Sequence, residues 1–266
     1  MKLKPVTNEH AIKLGDSHAR IANPFPSKEA LSAAIAHETD RVDALQRVLY
    51  ADARHALLIV LQGRDASGKD GTIRRVFTAV NPQGCEVTSF VAPTDLEQRH
   101  DFLWRVHARV PARRMIGIFN RSHYEDVIVP RVHGTIGKKT WLSRYDDINA
   151  FERLLTSNGV VILKFALHVS RDEQKHRLEE RLTNKDKNWK FRAGDLDDRK
   201  RWGDFTRAYH GVLANTSTPW ARWYIVPADD KGVRDWLVAR TIADTMAKLR
   251  LRYPPPDPSL RKLVVE

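Results

Sequence analysis

The sequence predicts an α/β protein with a central parallel sheet of five strands, covered by helices on both faces. Short apolar segments alternate with segments of helical periodicity, which is typical of such a sheet, and a glycine-bounded loop joins the first strand to its helix. The predicted strands are residues 57–62, 86–91, 114–119, 160–166 and 223–227. The predicted helices are residues 27–51, about 69–80, 95–109, 122–129, 140–157, 170–183, 197–214 and 230–251.

The chain length of 266 residues suits one α/β domain with a long appendage, or two small domains at most. Residues 1–26 are polar and end with Pro24 and Pro26, so we expect a mostly extended N-terminal arm. Ser27 is placed to cap the first long helix, whose apolar residues share one face. Three successive prolines stop the last helix, which predicts one domain at residues 27–253 and a C-terminal tail at residues 254–266.

The segment LLIVLQGRDASGKDGT (residues 57–72) is the most informative in the chain. An apolar strand leads into a loop bounded by Gly63 and Gly68, and Lys69 opens the next helix. Such a loop turns backbone N–H groups inward, and the helix dipole favours an anion at this end. In a phosphate-binding P-loop the lysine reaches the transferring phosphate, and we expect Lys69 at an exposed loop end. The segment therefore predicts a protein that handles phosphoanhydrides.

The loop departs from the P-loop pattern G-x-x-x-x-G-K-[S/T] at one position. Asp70 stands where a hydroxyl would help to hold Mg²⁺, and a second acid, Asp65, lies inside the loop. Carboxylate oxygens are good Mg²⁺ ligands, so Asp65 is the expected replacement. The alternative interpretation is an ordinary strand-to-helix turn with a surface lysine.

A polar cluster follows the third strand at residues 120–126. Ligands of parallel sheets bind beyond the carboxyl ends of the strands, so we expect the cluster beside the P-loop. The guanidinium of Arg121 suits phosphate oxygens. Glu125 and Asp126 could bind a metal or a nucleotide, or could simply stabilise a helix N-terminus. His123 and Tyr124 are more typical of packing or positioning than of proton transfer.

Basic residues and two aromatic residues fill the tract that follows the fourth strand. P-loop kinases carry a mobile lid here, which we expect at about residues 181–200. The alternative interpretation is a run of charged residues that is simply exposed to solvent. Trp189 and Phe191 make this interpretation less favoured, because a freely solvated segment has little use for aromatic residues. With cations near the P-loop, the lid could line a positively charged channel. The cations concerned are Arg64, Arg74, Arg75, Arg177, Arg181, Lys185, Lys187, Lys190 and Arg192.

The net charge of +12 at pH 7 indicates attraction to a polyanion. Nucleic acid is one alternative, but no nucleic-acid-binding motif stands out and the cations concentrate near the predicted phosphate site. No apolar stretch approaches the roughly 20 residues of a membrane span, and the N-terminus has no signal-peptide core. The one cysteine, Cys85, fits a reducing compartment. We therefore expect a soluble cytoplasmic protein.

Several segments of the chain resemble polyphosphate kinase family 2. They are GRDASGKDGT (63–72), VNPQG (80–84), FNRSHYEDV (119–127) and, in the lid, WKF (189–191) with GDL (194–196). The resemblance covers most of residues 30–253, and the first and third segments together are highly specific. It implies a P-loop kinase fold like thymidylate kinase: a three-layer sandwich with a five-stranded parallel sheet and a helical lid. It also implies phosphoryl transfer between inorganic polyphosphate and nucleotides, with Mg²⁺ as cofactor and Mn²⁺ as the alternative ion.

The resemblance and the P-loop pattern together assign expected roles to individual residues. The expected catalytic residues are Asp65, Lys69, Asn120, Arg121 and Arg181. Phosphate or polyphosphate is expected at Gly63, Arg64, Ala66, Ser67, Gly68, Asp70, Gly71, Thr72, Arg74, Arg75, Lys187 and Lys190. The nucleotide is expected at Arg121, Glu125 and Arg131, and the metal at Asp65 and Glu125.

Asn120 and residues 123–126 are similar to the class III branch of the family, which accepts both AMP and ADP and yields ADP and ATP. GMP and GDP are further candidate acceptors. The resemblance also suggests a reversible reaction and a homo-oligomer. A competing hypothesis is an ATP-dependent P-loop nucleotide kinase, which does not explain the missing Ser/Thr. A basic nucleic-acid-binding protein is the less favoured alternative.

Overall fold

The structure, a computed structural model, describes residues 1–259. Its strands are β1 (Ala56–Gly63), β2 (Cys85–Ser89), β3 (Ile116–Asn120), β4 (Val160–His168) and β5 (Trp223–Pro227). Its helices are α1 (Lys28–Asp52), α2 (Lys69–Val76), α3 (Asp95–Gln98), α4 (Trp104–His107), α5 (Glu125–His133), α6 (Lys138–Ser157), α7 (Arg171–Thr183), α8 (Gly194–Lys200), α9 (Trp202–Thr216) and α10 (Lys231–Lys248). Residues 260–266 of the predicted tail lie outside the described residues.

The five strands form one sheet in the order β2-β3-β1-β4-β5, and every neighbouring pair is parallel. Strand β1 lies in the centre, which is why every residue of its apolar run is buried. Its last residue, Gly63, is in register with Leu167 of β4, and Leu61 is in register with Asn120 of β3. The carboxyl ends of three strands therefore meet at one edge. The predicted parallel sheet is confirmed.

Two hydrophobic cores, one on each face of the sheet, make the protein a three-layer sandwich, as predicted. Helices α1, α2 and α10 cover one face, where Val42, Val76 and Trp236 pack against the sheet. Helices α5, α6 and α9 cover the other face, where Ile148 and Val212 belong to the core. The P-loop and the strand-end cluster lie where these layers meet the carboxyl edge.

Two predicted helices are each divided in the structure. Residues 95–109 form α3 and α4 instead of one helix, because the side chain of Asp101 accepts a hydrogen bond from the amide of Leu103 in the intervening turn. Residues 197–214 fall in α8 and α9, which meet at Arg201. The guanidinium of Arg201 donates to the carbonyl oxygen of Val132 at 3.1 Å and ties this junction to α5.

The N-terminal arm packs along the edge of the sheet. The amide of Val6 donates to the carbonyl oxygen of Trp223 in β5 at 2.8 Å, and two short 3₁₀ turns follow. The ring of His168 at the end of β4 donates to the carbonyl oxygen of Gly15 at 2.9 Å. Among residues 1–259, none of the helices is long and apolar enough to span a membrane.

Candidate active site

The loop between β1 and α2 has the geometry of an anion-binding loop. Ala66 and Gly68 adopt positive φ angles of 61° and 101°, an arrangement that lets backbone N–H groups converge. Gly68 is required for a second reason, because a Cβ there would lie 2.0 Å from a nitrogen of Arg234. The N-terminus of α2 at Lys69 adds partial positive charge to the same point.

Lys69 closes this loop from the inside. The residue is 8% exposed, and its ammonium donates to the carbonyl oxygens of Gly63 at 2.7 Å and Arg64 at 3.2 Å. The expectation of an exposed lysine is therefore wrong, because the loop folds around the side chain. Burial lowers the pKa of Lys69, and the positive charge of Arg121 lowers it further. An anion bound in the loop would offset both effects.

A buried arginine on α7 holds the loop from behind. Arg177 donates to the carbonyl oxygens of Ala66 at 3.0 Å and Ser67 at 3.2 Å. Its other terminal nitrogen donates to the carbonyl oxygens of Ala228 at 2.7 Å and Asp229 at 2.8 Å. The sequence analysis counted Arg177 among the lid cations and missed this supporting role. The available signal was a charged residue on the buried face of a helix.

Arg234 on α10 completes this support. Its guanidinium pairs with Asp235 at 2.8 Å and lies 3.4 Å from the carbonyl oxygen of Ser67. The hydroxyl of Thr72 donates to the same Asp235 at 3.0 Å. The side chain of Thr72 thus faces the protein interior, and its predicted phosphate contact would have to come from the backbone.

Arg121 links two acids at the carboxyl end of β3. Its backbone has a φ of 63°, which is uncommon for a residue other than glycine. Its guanidinium donates to Asp65 at 2.8 Å and to Glu125 at 3.5 Å, and Gln62 donates to the other oxygen of Glu125 at 2.9 Å. Burial alone would lower the pKa of Arg121, but Glu125 and Asp65 raise it above its ordinary value. The guanidinium therefore remains a cation at the mouth of the P-loop.

Asp65 and Glu125 are the two predicted metal ligands. Both direct a carboxylate oxygen at the single side chain of Arg121, so both reach the same small region. Within residues 1–259, no three His, Cys, Asp or Glu side chains converge on a metal-sized site. Kinase sites commonly hold Mg²⁺ through one or two carboxylates and complete its shell with water and substrate phosphates. A pair of carboxylates is thus a suitable donor set.

Asp70 connects the P-loop to the strand-end cluster and to the lid. One carboxylate oxygen accepts from the amide of Asn120 at 2.9 Å, and the other accepts from the ammonium of Lys190 at 3.1 Å. Burial alone would raise the pKa of Asp70, but these two contacts hold it below its ordinary value. The structure therefore brings the three predicted parts of the site together around one side chain.

The lid consists of the end of α7, a short 3₁₀ turn and α8. Arg181 pairs with Asp195 at 3.2 Å, and Lys187 pairs with Glu180. Burial raises the pKa of Asp195, and the negative charge of Asp65 raises it further. Asp195 therefore lies within electrostatic reach of the P-loop. The sequence analysis quoted Asp195 only within the segment GDL (194–196) and did not name it as a site residue, because one acid in a charge-rich segment indicates no particular role.

An open cleft begins beside the Arg121 cluster. Its polar end contains Asp65, Arg121 and Glu125. The cleft is also lined by the apolar and aromatic side chains of Ile128, Val129, Trp202, Phe205 and Tyr209. Such a cleft suits a ligand that has an anionic group at one end and a flat ring at the other. The aromatic wall was not among the predicted site residues.

Arg64 contributes to the cleft wall with its side chain. Its guanidinium stacks on the ring of Trp202 at 3.8 Å and donates to the hydroxyl of Thr206 at 2.6 Å. Burial lowers the pKa of Arg64 to about 10. Only the backbone of Arg64 lies in the P-loop, so its predicted contact with phosphate stays a prediction.

The structure does not bring three other predicted cations to the cleft. Arg131 stacks on Trp141 at 4.1 Å and donates to the hydroxyl of Tyr145 at 3.0 Å, away from the residues that line the cleft. Arg74 and Arg75 are exposed on the last turn of α2. Their proposed roles with nucleotide and polyphosphate stay predictions.

Comparison with known proteins identifies the family of this chain. Residues 26–253 match the family described as Polyphosphate kinase 2. The chain is 48% identical over 239 residues to an AMP/ADP-polyphosphate phosphotransferase of Meiothermus ruber, and the match covers 90% of each sequence. It is 42% identical over 267 residues to an ADP-polyphosphate phosphotransferase of Rhodopseudomonas palustris, which covers 96% of this chain and 92% of the relative.

A solved structure leads to the same family. The crystal structure of polyphosphate kinase 2 from Arthrobacter aurescens TC1 has a TM-score of 0.87 to this protein and 38% sequence identity, and the match covers 96% of this chain and 95% of that chain. The five segments quoted from the sequence predicted this relationship. The chain belongs to the polyphosphate kinase 2 family.

Proposed function

We propose that this protein transfers a phosphoryl group from inorganic polyphosphate to AMP and to ADP, giving ADP and ATP, in a reversible reaction. The observation that carries this proposal is a P-loop placed between a ring-walled cleft and a cationic lid, so that a nucleotide and a second polyanion can meet at Lys69. The relatives at 48% and 42% identity are named as polyphosphate phosphotransferases for AMP/ADP and for ADP.

Charge neutralisation is the main chemical task of this site. Transfer between two phosphate groups depends on positioning and on electrostatic stabilisation of the transferring group. Lys69 and Arg121 would neutralise that group from the protein body, and Arg181 from the lid. The acceptor oxygen of a nucleotide phosphate is already anionic, so no side chain has to remove a proton from it. His123 is buried and is not proposed as a nucleophile.

We propose that the divalent ion is Mg²⁺, held by Asp65 and Glu125, with Mn²⁺ as an alternative occupant. When bound, the ion would supply positive charge between the donor and acceptor phosphates. Asn120 donates to Asp70 with its amide nitrogen, which leaves its carbonyl oxygen available for other contacts.

The aromatic wall of the cleft supports a nucleotide as the acceptor. We propose that the phosphates lie at Arg121 and that the base lies against Trp202 and Phe205. Stacking against an aromatic face tolerates different bases. We therefore expect GMP and GDP to be accepted as well, with smaller differences in kcat than in KM.

The direct experiment measures ATP formed from ADP, and ADP formed from AMP, with polyphosphate as the sole phosphoryl donor. We expect both products, their loss when EDTA removes divalent ions, and their recovery on addition of Mg²⁺. An ATP-dependent nucleotide kinase would phosphorylate AMP with ATP, and any ATP that it formed from two molecules of ADP would not depend on added polyphosphate. A nucleic-acid-binding protein would give neither product.

We further propose a cytoplasmic homo-oligomer. One cysteine in the chain is in keeping with a reducing compartment, and the long helix α1 is the candidate interface. Light scattering at several protein concentrations tests the assembly, and a monomer at all of them would contradict it.

A further inference from the structure

A fully buried ion pair lies beneath the catalytic residues. Lys164 on β4 is 0% exposed and Glu152 on α6 is 1% exposed, and their charged atoms are 2.6 Å apart. On the same face of β4, the neighbours Ile162 and Ala166 belong to the hydrophobic core. The lysine therefore occupies a position where the strand pattern requires an apolar residue. Such local exceptions commonly mark functional sites.

Every proton of the buried ammonium has a partner. Besides Glu152, Lys164 donates to the hydroxyl of Tyr124 at 2.8 Å and to the carbonyl oxygen of Thr216 at 2.7 Å. The hydroxyl of Tyr124 in turn donates to Glu152 at 2.8 Å. Burial alone would raise the pKa of Glu152, but Lys164 holds it below its ordinary value. Burial lowers the pKa of Lys164. The two side chains and Tyr124 thus form one buried hydrogen-bonded network.

Stability gives a weak reason for such a pair. Removing two charges from water is costly, and apolar residues of similar volume often replace a buried ion pair without loss of stability. The surroundings here are already apolar, because Trp223 packs against the ring of Tyr124 at 4.8 Å. The presence of Lys164 and Glu152 therefore calls for an explanation in terms of what they hold in place.

The network holds the segment that carries two site residues. Tyr124 lies directly before Glu125 and three residues after Arg121, whose backbone has the unusual φ of 63°. The ring of His123 also lies 3.4 Å from the carboxylate of Glu152. The short turn between β3 and α5 is thus anchored from below by two consecutive side chains.

We propose that the buried pair Lys164–Glu152, acting through Tyr124, positions Arg121 and Glu125 for phosphoryl transfer. These two buried residues are positioning residues, since neither lines the cleft. The inference rests on the proposed function for its kinetic part. Its structural part concerns the order of residues 121–127 and can be measured without activity.

The variant Tyr124→Phe tests this link most directly. It removes one hydroxyl and leaves Lys164 paired with Glu152 and Thr216. We expect kcat to fall about tenfold, because small misplacements of catalytic groups are expensive. We expect a higher KM for ADP and an unchanged KM for polyphosphate, since the hydrogen bonds of this network include no residue of the lid. A purely structural role would not produce this separation of the two KM values.

Hydrogen–deuterium exchange gives the readout that does not depend on activity. The amide of Arg121 donates to Leu61 at 3.0 Å and that of Glu125 to Ser122 at 2.9 Å, so both are protected in the wild type. We expect exchange across residues 121–127 to accelerate in Tyr124→Phe, with little change in β1 or α10.

An apolar triple variant guards against misfolding caused by an unpaired charge. Tyr124→Phe, Glu152→Leu and Lys164→Met together remove the network without leaving one buried ion alone. We expect a folded protein with low kcat and fast exchange at residues 121–127. The matched control is Ile162→Ala, on the same strand face, which should lower Tm and leave the exchange of this segment unchanged.

The outcomes separate the proposals. Wild-type kcat and wild-type exchange at residues 121–127 in folded Tyr124→Phe, or in the triple variant, would overturn the positioning role. Equal acceleration in the Ile162→Ala control would also overturn it, because any core damage would then suffice. If the wild type shows no polyphosphate-dependent transfer, the proposed function fails, and exchange alone decides whether the network orders the segment.

Discussion

The P-loop and the lid lie side by side, joined by the ion pair of Lys190 with Asp70, but the protein holds their cations in different ways. Behind the P-loop, Arg177 and Arg234 are buried and donate to backbone carbonyl oxygens of the loop. In the lid, the side chains of Lys187 and Lys190 are 42% and 36% exposed and pair with acids near the surface. The lid also carries Trp189, which is 77% exposed.

This difference indicates that the P-loop is preorganised for a phosphate, whereas the lid can adapt to its ligand. A loop whose carbonyl oxygens are fixed from behind keeps its N–H groups aimed at one phosphate before the substrate arrives, which is how electrostatic stabilisation is most effective. Exposed ion pairs are weak, so a polyanion can replace the acids on the lid cations. The P-loop should therefore determine the rate, and the lid should determine the affinity for the long donor.

The largest effect is expected at Lys69. Lys69→Met keeps the buried stem and removes the ammonium, and we expect kcat to fall about 10²-fold or more. Circular dichroism and Tm would check that the loop still folds. Near-wild-type turnover in a folded variant would contradict the assigned role of the P-loop lysine.

The second-largest effect is expected at Arg177, whose hydrogen bonds support the backbone of the P-loop. Arg177→Met leaves the carbonyl oxygens of two chain segments without their buried donor, and we expect a loss of about 3 kcal/mol in the free energy of unfolding. Urea denaturation measures this loss, and kcat should fall as well. Arg177→Lys, which keeps the charge but cannot reach all four oxygens, should lie between. An unchanged midpoint would show that the P-loop does not depend on this side chain.

The third effect concerns the lid. Replacing Lys187, Lys190 and Arg192 by Ala should raise the KM for polyphosphate several-fold and change the KM for ADP little, because a long polyanion gains more from each added cation. Tm should stay unchanged. The difference should shrink in high salt, which screens exposed charges. Equal rises in both KM values would instead identify the lid as a general closure element.

The smallest expected effect is a pH dependence of protein stability caused by His168 at the end of β4. Burial lowers the pKa of His168 below 6.5, so the unfolded chain binds the proton more readily than the folded one. The contribution of neutral His168 to the free energy of unfolding should therefore be fully present above about pH 7. It should decrease as the pH falls through 6.5 toward the pKa of His168 in the folded protein. Tm measured from pH 5 to 8 should show this decrease in the wild type and a smaller one in His168→Gln. Identical profiles would remove His168 from this account.

The sheet and the P-loop were predictable because their signals are local. An apolar run, two glycines and a lysine within residues 57–72 indicate a strand, a loop and a helix start without tertiary information. The same is true of Arg121 and Glu125, since strand ends in a parallel sheet converge. These parts needed periodicity and spacing alone.

The other parts of the site depend on partners that are distant in the sequence. Arg64 stacks on Trp202, and the P-loop carbonyl oxygens depend on Arg177 and Arg234, each more than 100 residues away. No local pattern indicates such a pairing. Lys69 was misjudged for the same reason, because its burial results from how the loop folds around it.

The contact between the N-terminal arm and β5 has a consequence for synthesis of the protein on the ribosome. The amide of Val6 donates to the carbonyl oxygen of Trp223, and Arg20 donates to Asp229. These contacts form only when partners 209 or more positions apart in the sequence meet. Loop closure over such separations slows folding. Residues 6–20 are synthesised well before their partners and are therefore among the last to reach their native place. A stalled chain lacking β5 and α10 would expose both this edge and the unsupported P-loop, where a protease or chaperone could recognise it.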